Sequence, residues 1–385
     1  MRNIENVITI NDFNFSQGGA SKVAIDTANI LAKSGVKSVF ISAVANDNLC
    51  TLLPEVIQYK FNGREFLQYN NKLKGMLNGL KCSEFACYVE DVLSMFPPEN
   101  TVVHVHGWTK ACSSSFFEVL KKRGYKTYLT LHEYFTVCPN GAYYNYVTNK
   151  ACEKKACSVN CLFANCDSRN YIFKLYRFVR ELVYKKNLDF NTIIPIYISE
   201  FEKEKLESLI KAPKGYLIEN PVESLELQKR AKDYDFVYIG RTSKEKGIDL
   251  FLELAKAFPD RKFLVVGQLN SKKLSNLSIT GWVTEDEVNA YLMRSKILVF
   301  PSMWPETFGL NVIKALSMGI MCLVSSNTAA ERYVNQNNGI VFEQGNLIDL
   351  KNKAEILINK NGGMDNTRRP SSQDYISKLM KAYRE

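Results

Sequence analysis

Short apolar runs alternate with helical patterns twice along this chain of 385 residues. In the first half the apolar runs lie at residues 7–10, 39–41, 102–106 and 128–131. From residue 236 the alternation restarts, with runs at 236–239, 263–266, 297–300 and 322–324. Strands that alternate with helices form parallel sheets whose two faces are covered by helices. The pattern therefore predicts an α/β protein made of two consecutive doubly wound units.

An interruption of this alternation, and its restart, set the predicted domain boundaries. Between about residues 135 and 190 the chain carries a cysteine-rich loop and then a basic, aromatic helix. We predict a first domain at residues 1–205 that includes this insertion, a second domain at 206–370, and a terminal helix at 371–385. Ser371 and Asp374 have the spacing of a helix cap at the start of that last segment.

Charge and composition restrict the partners. The net charge of +10 favours an anionic partner, but the chain shows neither zinc-finger spacing nor a nucleic-acid-binding signature, so we expect no nucleic acid. No apolar run approaches the ~20 residues that a membrane span needs. Residues 1–7 are too polar for a secretory signal peptide. We therefore expect a cytoplasmic protein whose ten cysteines are mostly reduced thiols.

Two loops of the second half carry side chains suited to an anionic, hydroxylated ligand. Arg241 and Lys246 follow the strand that ends at Gly240, so both cations can converge on one ligand beyond the carboxyl end of that strand. Glu306 follows a proline-rich stretch just before a predicted helix start, where residues 307–309 offer backbone amides. The pattern indicates a site for phosphate and sugar groups at one edge of the second sheet.

The order of these motifs resembles the family-four retaining glycosyltransferases of the GT-B fold, the bacterial glycosyltransferase group 1, over most of the chain. The matching segments are Gly18-Gly19-Ala20, residues 103–107, residues 130–133, residues 219–222, Gly240-Arg241 with Lys246-Gly247, and Pro301-Ser302 with residues 306–309. The resemblance implies two facing Rossmann-like lobes and transfer of a sugar, with retention of configuration, from a nucleotide-sugar to a polysaccharide or lipid-linked oligosaccharide. It implies no metal ion or other cofactor.

The resemblance also implies a role for each donor-site residue. Arg241 and Lys246 would hold the donor diphosphate and stabilise the leaving nucleotide in place of a metal ion. Glu306 would bind hydroxyls of the donor sugar. The backbone amides that would assist it are those of Thr307, Phe308 and Gly309.

The first lobe would bind the acceptor and close over the donor. The resemblance implies that His132, at a strand end, approaches the transferring sugar from this lobe. Gly18 and Gly19 would let the backbone close over phosphate and acceptor, and the terminal helix would cross back onto the first lobe. We expect His104 and His106 to face opposite sides of their strand, with one of them structural.

One position departs from the family pattern. The family carries a second glutamate eight residues after the first, which accepts hydrogen bonds from the ribose hydroxyls, and here that position is Lys314. A lysine side chain has only donors, so it cannot accept those bonds. Ribose recognition is therefore moved elsewhere, altered with a different donor, or lost.

The cysteine-rich loop leaves two interpretations open. Its five cysteines could hold a structural zinc ion. They could also pack as free thiols, since no Cys-x-x-Cys pair occurs among them. They are Cys138, Cys152, Cys157, Cys161 and Cys166. Tyr143, Tyr144 and Tyr146 of the same loop could stack on an acceptor sugar or pack against the loop.

The helix after this loop also has two interpretations. Residues 169–186 interleave basic side chains with aromatic and aliphatic ones. This helix would contact an anionic membrane at the inner face of the cell membrane, with Arg177 and Arg180 among the contacts, or pack on its own lobe with solvated lysines.

Two other functions remain open on these residues. A sugar-nucleotide epimerase shares the two-lobed fold but would lack the Glu306 loop. A non-catalytic partner subunit is suggested by Lys314. A dehydrogenase is disfavoured, because no Gly-x-Gly-x-x-Gly opens either domain.

Overall fold

The computed structural model describes residues 3–222, 231–269, 274–360 and 370–385. Two parallel sheets, each covered by helices, confirm the predicted α/β architecture with two Rossmann-like lobes. Among the described residues, no helix is long and apolar enough to cross a membrane.

The first sheet contains seven parallel strands. They are β1 (Asn6–Phe13), β2 (Lys37–Val44), β3 (Ile57–Lys60), β4 (Thr101–Val105), β5 (Lys126–Leu131), β8 (Ile193–Tyr197) and β9 (Tyr216–Leu217), in the spatial order β3-β2-β1-β4-β5-β8-β9. Strands β6 (Tyr144–Asn145) and β7 (Lys150–Ala151) form a separate antiparallel pair within the cysteine-rich insertion. All eight residues of β1 are buried, as expected for a strand with neighbours on both sides and helices on both faces.

The second sheet contains six parallel strands. They are β10 (Tyr234–Ile239), β11 (Phe263–Val266), β12 (Leu277–Ile279), β13 (Ser295–Phe300), β14 (Met321–Ser325) and β15 (Gly339–Phe342), in the order β12-β11-β10-β13-β14-β15. Chain order reverses on either side of β10, so the loops after β10 and β13 lie beside each other at the carboxyl edge of the sheet. Such a switch point is where open α/β sheets bind ligands.

Several of the helices begin at an Asn, Ser or Thr whose side chain accepts from an N–H of the first turn. The helices are α1 (Gly19–Lys33), α2 (Lys72–Leu80), α3 (Ser83–Leu93), α4 (Ser115–Lys122), α5 (Val159–Phe163), α6 (Tyr171–Asn187), α7 (Glu200–Ile210), α8 (Ile248–Ala257), α9 (Glu285–Met293), α10 (Leu310–Ser317), α11 (Leu347–Ile358) and α12 (Ser372–Arg384). At the start of α9, Thr284 and Glu287 form a reciprocal capping box, which satisfies two amide donors that the helix leaves unpaired.

The first sheet extends beyond the boundary predicted at residue 205. Strand β9, at Tyr216–Leu217, pairs with β8 in that sheet, so α7 and β9 belong to the first lobe. Of the segment that follows, residues 223–230 lie outside the described residues. The last helix, α12, returns to the first lobe, where Tyr375, Leu379 and Tyr383 pack in one buried cluster with residues of β1, α1 and β4.

The cysteine-rich insertion lies between β5 and β8 and packs in the core of the first lobe. Tyr134, Cys138 and Tyr144 are buried in the same cluster as residues of β1, β2 and β4. Trp304 of the second lobe belongs to this cluster too. The insertion therefore bridges the two lobes at one end of the cleft.

A buried carboxyl on α6 makes stability depend on pH. Glu181 is 2% exposed, and its Oε1 has no hydrogen-bond partner among the described residues. Burial raises the pKa of Glu181 from 4.5 to about 8. The folded chain therefore holds a proton that the unfolded chain releases, so stability falls as pH rises through this window and the whole penalty is present above it.

We expect Glu181→Gln to remove this penalty. The unfolding free energy of the variant, compared with that of the wild-type chain, should rise by at least about 2 kcal/mol from pH 5 to pH 8, because the glutamine amide does not ionise. Urea unfolding at both pH values measures the difference. Equal pH dependence in the two chains would show that Glu181 titrates normally.

Candidate active site

Two loops at the carboxyl edge of the second sheet are packed against each other. One loop follows β10 and ends in a short 3-10 helix at Lys244–Lys246. The other follows β13, and its Met303 N–H donates to the carbonyl of Glu245 at 2.8 Å. Gly247 makes this approach possible, since its φ is +74° and a Cβ there would lie 1.7 Å from the carbonyl oxygen of Pro301.

The packed loops place Lys246 against Glu306. The Lys246 Nζ lies 2.6 Å from Glu306 Oε2, and both side chains are largely covered. The indole N–H of Trp304 donates to the same oxygen at 2.8 Å, and the Ser302 hydroxyl lies 3.4 Å from it. The Lys246 ammonium also lies 4.8 Å from the centre of the Trp304 ring. The other carboxylate oxygen, Oε1, has no hydrogen-bond partner within the described part of the chain, so it can accept from a hydroxyl.

Arg241 begins the same loop but does not join the pair. Its guanidinium lies 3.8 Å from Glu245 Oε1, and its side chain is 63% exposed. The Tyr238 hydroxyl donates to the Arg241 carbonyl at 2.5 Å and fixes the backbone at the strand end. Arg241 thus stands at the open side of the loop, while Lys246 is held inside it.

The Glu306 loop connects to the first lobe. The Thr307 hydroxyl donates to the carbonyl of His132 at 2.9 Å, and the Ser199 hydroxyl donates to the carbonyl of Thr307 at 2.6 Å. The Tyr134 hydroxyl donates to the carbonyl of Pro305 at 2.7 Å. These bonds hold His132 and the Glu306 loop together across the cleft.

The start of α10 has the form of an anion-binding helix end. Gly309 precedes the helix with a φ of +92°, and no side chain caps the first turn. A Cβ at Gly309 would lie 2.6 Å from the Cβ of Ala330, so the position requires glycine. The Phe308 side chain is buried, which leaves its backbone rather than its ring to face a ligand.

Three histidines form a column behind the cleft. The rings of His104 and His106 are 4.2 Å apart, and His106 Nδ1 lies 2.9 Å from His132 Nε2. The prediction that His104 and His106 face opposite sides is wrong, because residues two apart in a strand share a face. The hydroxyl of Tyr383, on α12, lies 2.6 Å from His104 Nδ1. The terminal helix is therefore linked through the column to His132.

The histidine column is neutral near pH 7. Burial lowers the pKa of His132 to about 3. Burial and the neighbouring His132 lower the pKa of His104 to about 3 as well. A neutral His132 can exchange hydrogen bonds with a sugar without placing a positive charge beside it.

The glycine loop of the first lobe faces α10. Gly18 precedes α1 with a φ of +139°, and a Cβ at Gly19 would lie 3.4 Å from Leu310 Cδ1. The structure thus brings the Gly18-Gly19 loop to the same side of the cleft as the first residue of α10.

Behind this loop, the buried Asp12 carboxylate accepts from the N–H groups of Lys110, Ala111 and Cys112 at 2.8–3.0 Å. Asp12 orders the loop that follows β4, a role that sequence motifs did not indicate.

Lys314 forms an ion pair with a residue outside the two donor loops. Its ammonium contacts the carboxylate of Glu285, the first residue of α9. The Lys314 side chain is 13% exposed and that of Glu285 is 48% exposed. The Glu285 carboxylate thus lies beside residue 314, the position where the resemblance led us to expect a glutamate.

The cysteines of the insertion take different partners. The Cys138 thiol and the Cys166 sulfur both contact the Asn140 amide, at 3.2 and 3.6 Å, and Lys174 Nζ lies 3.4 Å from the Cys161 sulfur. Among the described residues no three His, Cys, Asp or Glu side chains form a group that could hold a metal ion.

The tyrosines of the insertion pack inward. Tyr144 is fully buried, and its ring lies 5.0 Å from that of Tyr146. Tyr143 packs edge-on against Tyr134 with ring centres 5.1 Å apart. A buried ring cannot stack on an acceptor, so for Tyr144 the structure favours packing over sugar binding.

The family match concerns mainly the second lobe. Residues 220–374 match the model of the family Glycosyl transferases group 1. An uncharacterized 42.6 kDa protein in the cps region of Klebsiella pneumoniae is 32% identical over 154 residues. That match covers 37% of this chain and 40% of the length of the relative.

Solved structures resemble the whole chain. Sucrose-phosphate synthase from Thermosynechococcus elongatus has a TM-score of 0.67 and 16% identity, and the match covers 98% of this chain and 94% of the other. A mutant of TarM from S. aureus, solved with fondaparinux, alpha-GlcNAc-glycerol and UDP, has a TM-score of 0.69 and 11% identity, with 100% of each chain covered. At these identities the likeness concerns the fold.

The family match and the fold agree. The matched residues include both loops that hold Lys246 and Glu306, and the structural likeness extends over both lobes. Residues 220–374 therefore match the group 1 glycosyltransferases, and the whole chain has the two-lobed GT-B fold of the solved structures it resembles.

Proposed function

We propose that this chain transfers a hexose from a nucleotide-sugar to a polysaccharide or lipid-linked oligosaccharide, with retention of configuration and without a metal ion. The observation that carries the proposal is the contact between Lys246 and Glu306, 2.6 Å apart and held at the cleft by Thr307 and His132. In a nucleotide-sugar the diphosphate adjoins the sugar. A donor whose diphosphate meets Lys246 therefore presents its sugar to Glu306.

Each group would have a separate task in this reaction. The Lys246 ammonium and the N–H groups at the start of α10 would stabilise charge on the leaving diphosphate, with Arg241 covering its open side. Glu306 would accept hydrogen bonds from sugar hydroxyls, and neutral His132 would contact the sugar from the first lobe. The Gly18-Gly19 loop would close over phosphate and acceptor.

The first experiment is a thermal-shift screen of nucleotide-sugars, followed by a transfer assay with the donor that binds. UDP-sugars come first, because the TarM mutant was solved with UDP. We expect one class of donor to raise the melting temperature and to be consumed in the presence of a glycan acceptor. The relative in a cps region makes capsule-type oligosaccharides the first acceptors to try.

Two results would contradict the proposal in different ways. Binding without transfer to any glycan acceptor would support the non-catalytic partner subunit. Conversion of the donor into another nucleotide-sugar, without an acceptor, would support the epimerase.

We propose that Glu285 accepts the ribose hydroxyls in place of the missing second glutamate. Its carboxylate contacts Lys314 and remains about half exposed, so it has oxygen lone pairs to offer. Glu285→Gln is expected to raise the donor dissociation constant about tenfold, since a hydrogen bond to a charged group contributes roughly 1.5–3 kcal/mol. Isothermal titration measures the change. Asp286→Asn, one residue along the same exposed helix start, is the matched control and should bind as the wild type does.

A charge exchange sharpens this test. Lys314→Glu alone places two carboxylates in contact and should weaken binding by repulsion, whereas Lys314→Glu with Glu285→Lys restores an ion pair with the family's acid in place. Restored affinity in the double variant would support a ribose site shared by these two positions. Unchanged affinity in all three variants would remove both residues from donor recognition.

A further inference from the structure

Helix α6 exposes a continuous apolar stripe on the surface of the first lobe. Ile172, Leu175, Val179 and Leu182 are 74%, 37%, 50% and 49% exposed. Their spacing of three, four and three residues places them on one face of the helix. A single exposed aliphatic residue needs no explanation, but four on one face of a helix form a patch that indicates a binding surface.

The neighbouring helix α2 also exposes aliphatic side chains. The Tyr176 and Tyr184 hydroxyls of α6 donate to the carbonyls of Met76 and Gly79 at 2.9 Å each, so the two helices lie side by side. On α2, Leu73 and Leu77 are 66% and 56% exposed. We call the six exposed side chains of α2 and α6 the apolar face.

The exposed charges on these two helices and at the C-cap of α2 are positive. Lys72, Lys74 and Lys81 of α2 and its C-cap are exposed, as are Lys185 and Lys186 at the end of α6. Neither helix exposes an acid, since α2 has none and the one acid of α6, Glu181, is 2% exposed.

A basic cavity adjoins the end of the apolar face. It has a volume of about 470 Å³ and is lined in part by Lys121, Lys185, Lys186 and Lys211. Lys121 pairs with Asp189 at 2.7 Å, which leaves an excess of positive charge in the cavity. Leu182 lies one helical turn before Lys185 and Lys186, so stripe and cavity belong to one surface.

Three other basic residues of α6 lie in the interior. Arg177 pairs with the buried Asp167 at 3.2 Å and is 17% exposed. Arg180 is 9% exposed and packs on the rings of Phe135 and Tyr184. Lys174 is fully buried. Arg177 and Arg180 are therefore covered by the lobe, as in the packing interpretation of this helix, and the exposed face of α6 is aliphatic.

We propose that the apolar face and its basic rim dock on an anionic lipid bilayer. Aliphatic side chains would enter the boundary between head groups and acyl chains, while the lysines contact lipid phosphates, the division of labour typical of interfacial helices. A second copy of this chain fits the surface less well, because a twofold contact would bring the lysine rim against itself. The inference does not depend on the transfer reaction, since vesicle binding needs no donor.

The test is flotation of the full chain with vesicles of phosphatidylcholine alone or mixed with phosphatidylglycerol. The wild-type chain is expected to float with the mixed vesicles. The triple variant Ile172→Ser, Val179→Ser and Leu182→Ser should bind them at least about tenfold more weakly, because burying one aliphatic side chain contributes a factor of roughly ten or more. The double variant Lys185→Gln with Lys186→Gln should bind the anionic vesicles about fivefold more weakly for each lysine replaced. This loss of affinity is expected on the anionic vesicles alone.

Matched controls separate docking from folding. Ile348→Ser with Ile356→Ser changes two aliphatic side chains of α11, 73% and 57% exposed on the other lobe, and should float as the wild type does. Far-UV circular dichroism and the melting temperature should be the same for all variants, since every changed side chain is exposed or at a helix end. Wild-type protein that stays with the soluble fraction, or a triple variant that floats normally, overturns the proposal. A lipid-free dimer in sedimentation velocity that the triple variant abolishes would overturn it in favour of a second copy.

Discussion

Replacing Lys246 by methionine is expected to lower kcat/KM for sugar transfer by at least about 100-fold, because one preorganised donor at a developing negative charge typically contributes a factor of 10²–10³. The methionine keeps most of the side-chain volume but removes the charge that faces the diphosphate. Steady-state kinetics with the donor identified by thermal shift measures the loss.

Lys244→Met is the matched control for this variant. Lys244 lies in the same short 3-10 helix but is exposed and has no contact with Glu306. It should retain nearly the full activity. Lys246→Arg restores the charge and should recover part of the rate. A Lys246→Met enzyme as active as the Lys244→Met enzyme would remove Lys246 from the donor site.

Replacing Glu306 by glutamine is expected to reduce kcat about 100-fold, and to leave the binding of free nucleoside diphosphate unchanged or stronger. The carboxylate pairs with Lys246 at 2.6 Å, so its neutralisation leaves that cation uncompensated and more attractive to phosphate. The hydrogen bonds from the sugar hydroxyls, in contrast, weaken with the charge of the acceptor. The variant therefore separates the sugar end of the site from the phosphate end.

Isothermal titration with UDP, beside kinetics with the intact donor, checks both parts of this prediction. Glu253→Gln, on the exposed face of α8, serves as the control for removal of one acid from the same lobe. The double variant Lys246→Met with Glu306→Gln should lose less activity than the product of the two single fold-reductions, since side chains in contact are energetically coupled. Strict multiplication of the losses would show that the two residues act separately.

The interior of both sheets could be predicted from the sequence. Strands with neighbours on both sides, such as β1, β4, β10 and β13, are apolar on both faces and appear as continuous runs. The edge strands β3, β9, β12 and β15 were not recognised, because an edge strand is partly exposed and lacks such a run. Because β9 lacks such a run, the predicted domain boundary at residue 205 precedes the last strand of the first sheet.

The donor loops could be predicted because their chemistry is local. Gly247, Lys246, Glu306 and Gly309 each lie at a strand end or helix start, where spacing alone predicts a shared sheet edge. The pairing of Lys246 with Glu306 could not be predicted. It depends on the contact between Gly247 and Pro301, which are far apart in sequence and adjacent in the fold.

What the sequence determined by itself is therefore the order of elements, the two lobes and the residue types at the donor edge, since these follow from periodicity and from short motifs. The tertiary structure decided which side chains meet. It placed Glu285 against Lys314, joined Tyr383 to the histidine column, and turned Lys174, Arg177 and Arg180 of α6 inward while its aliphatic residues faced outward. The physical reason is that burial and long-range contact depend on what packs against each surface, and the pattern along one segment carries no record of its neighbours.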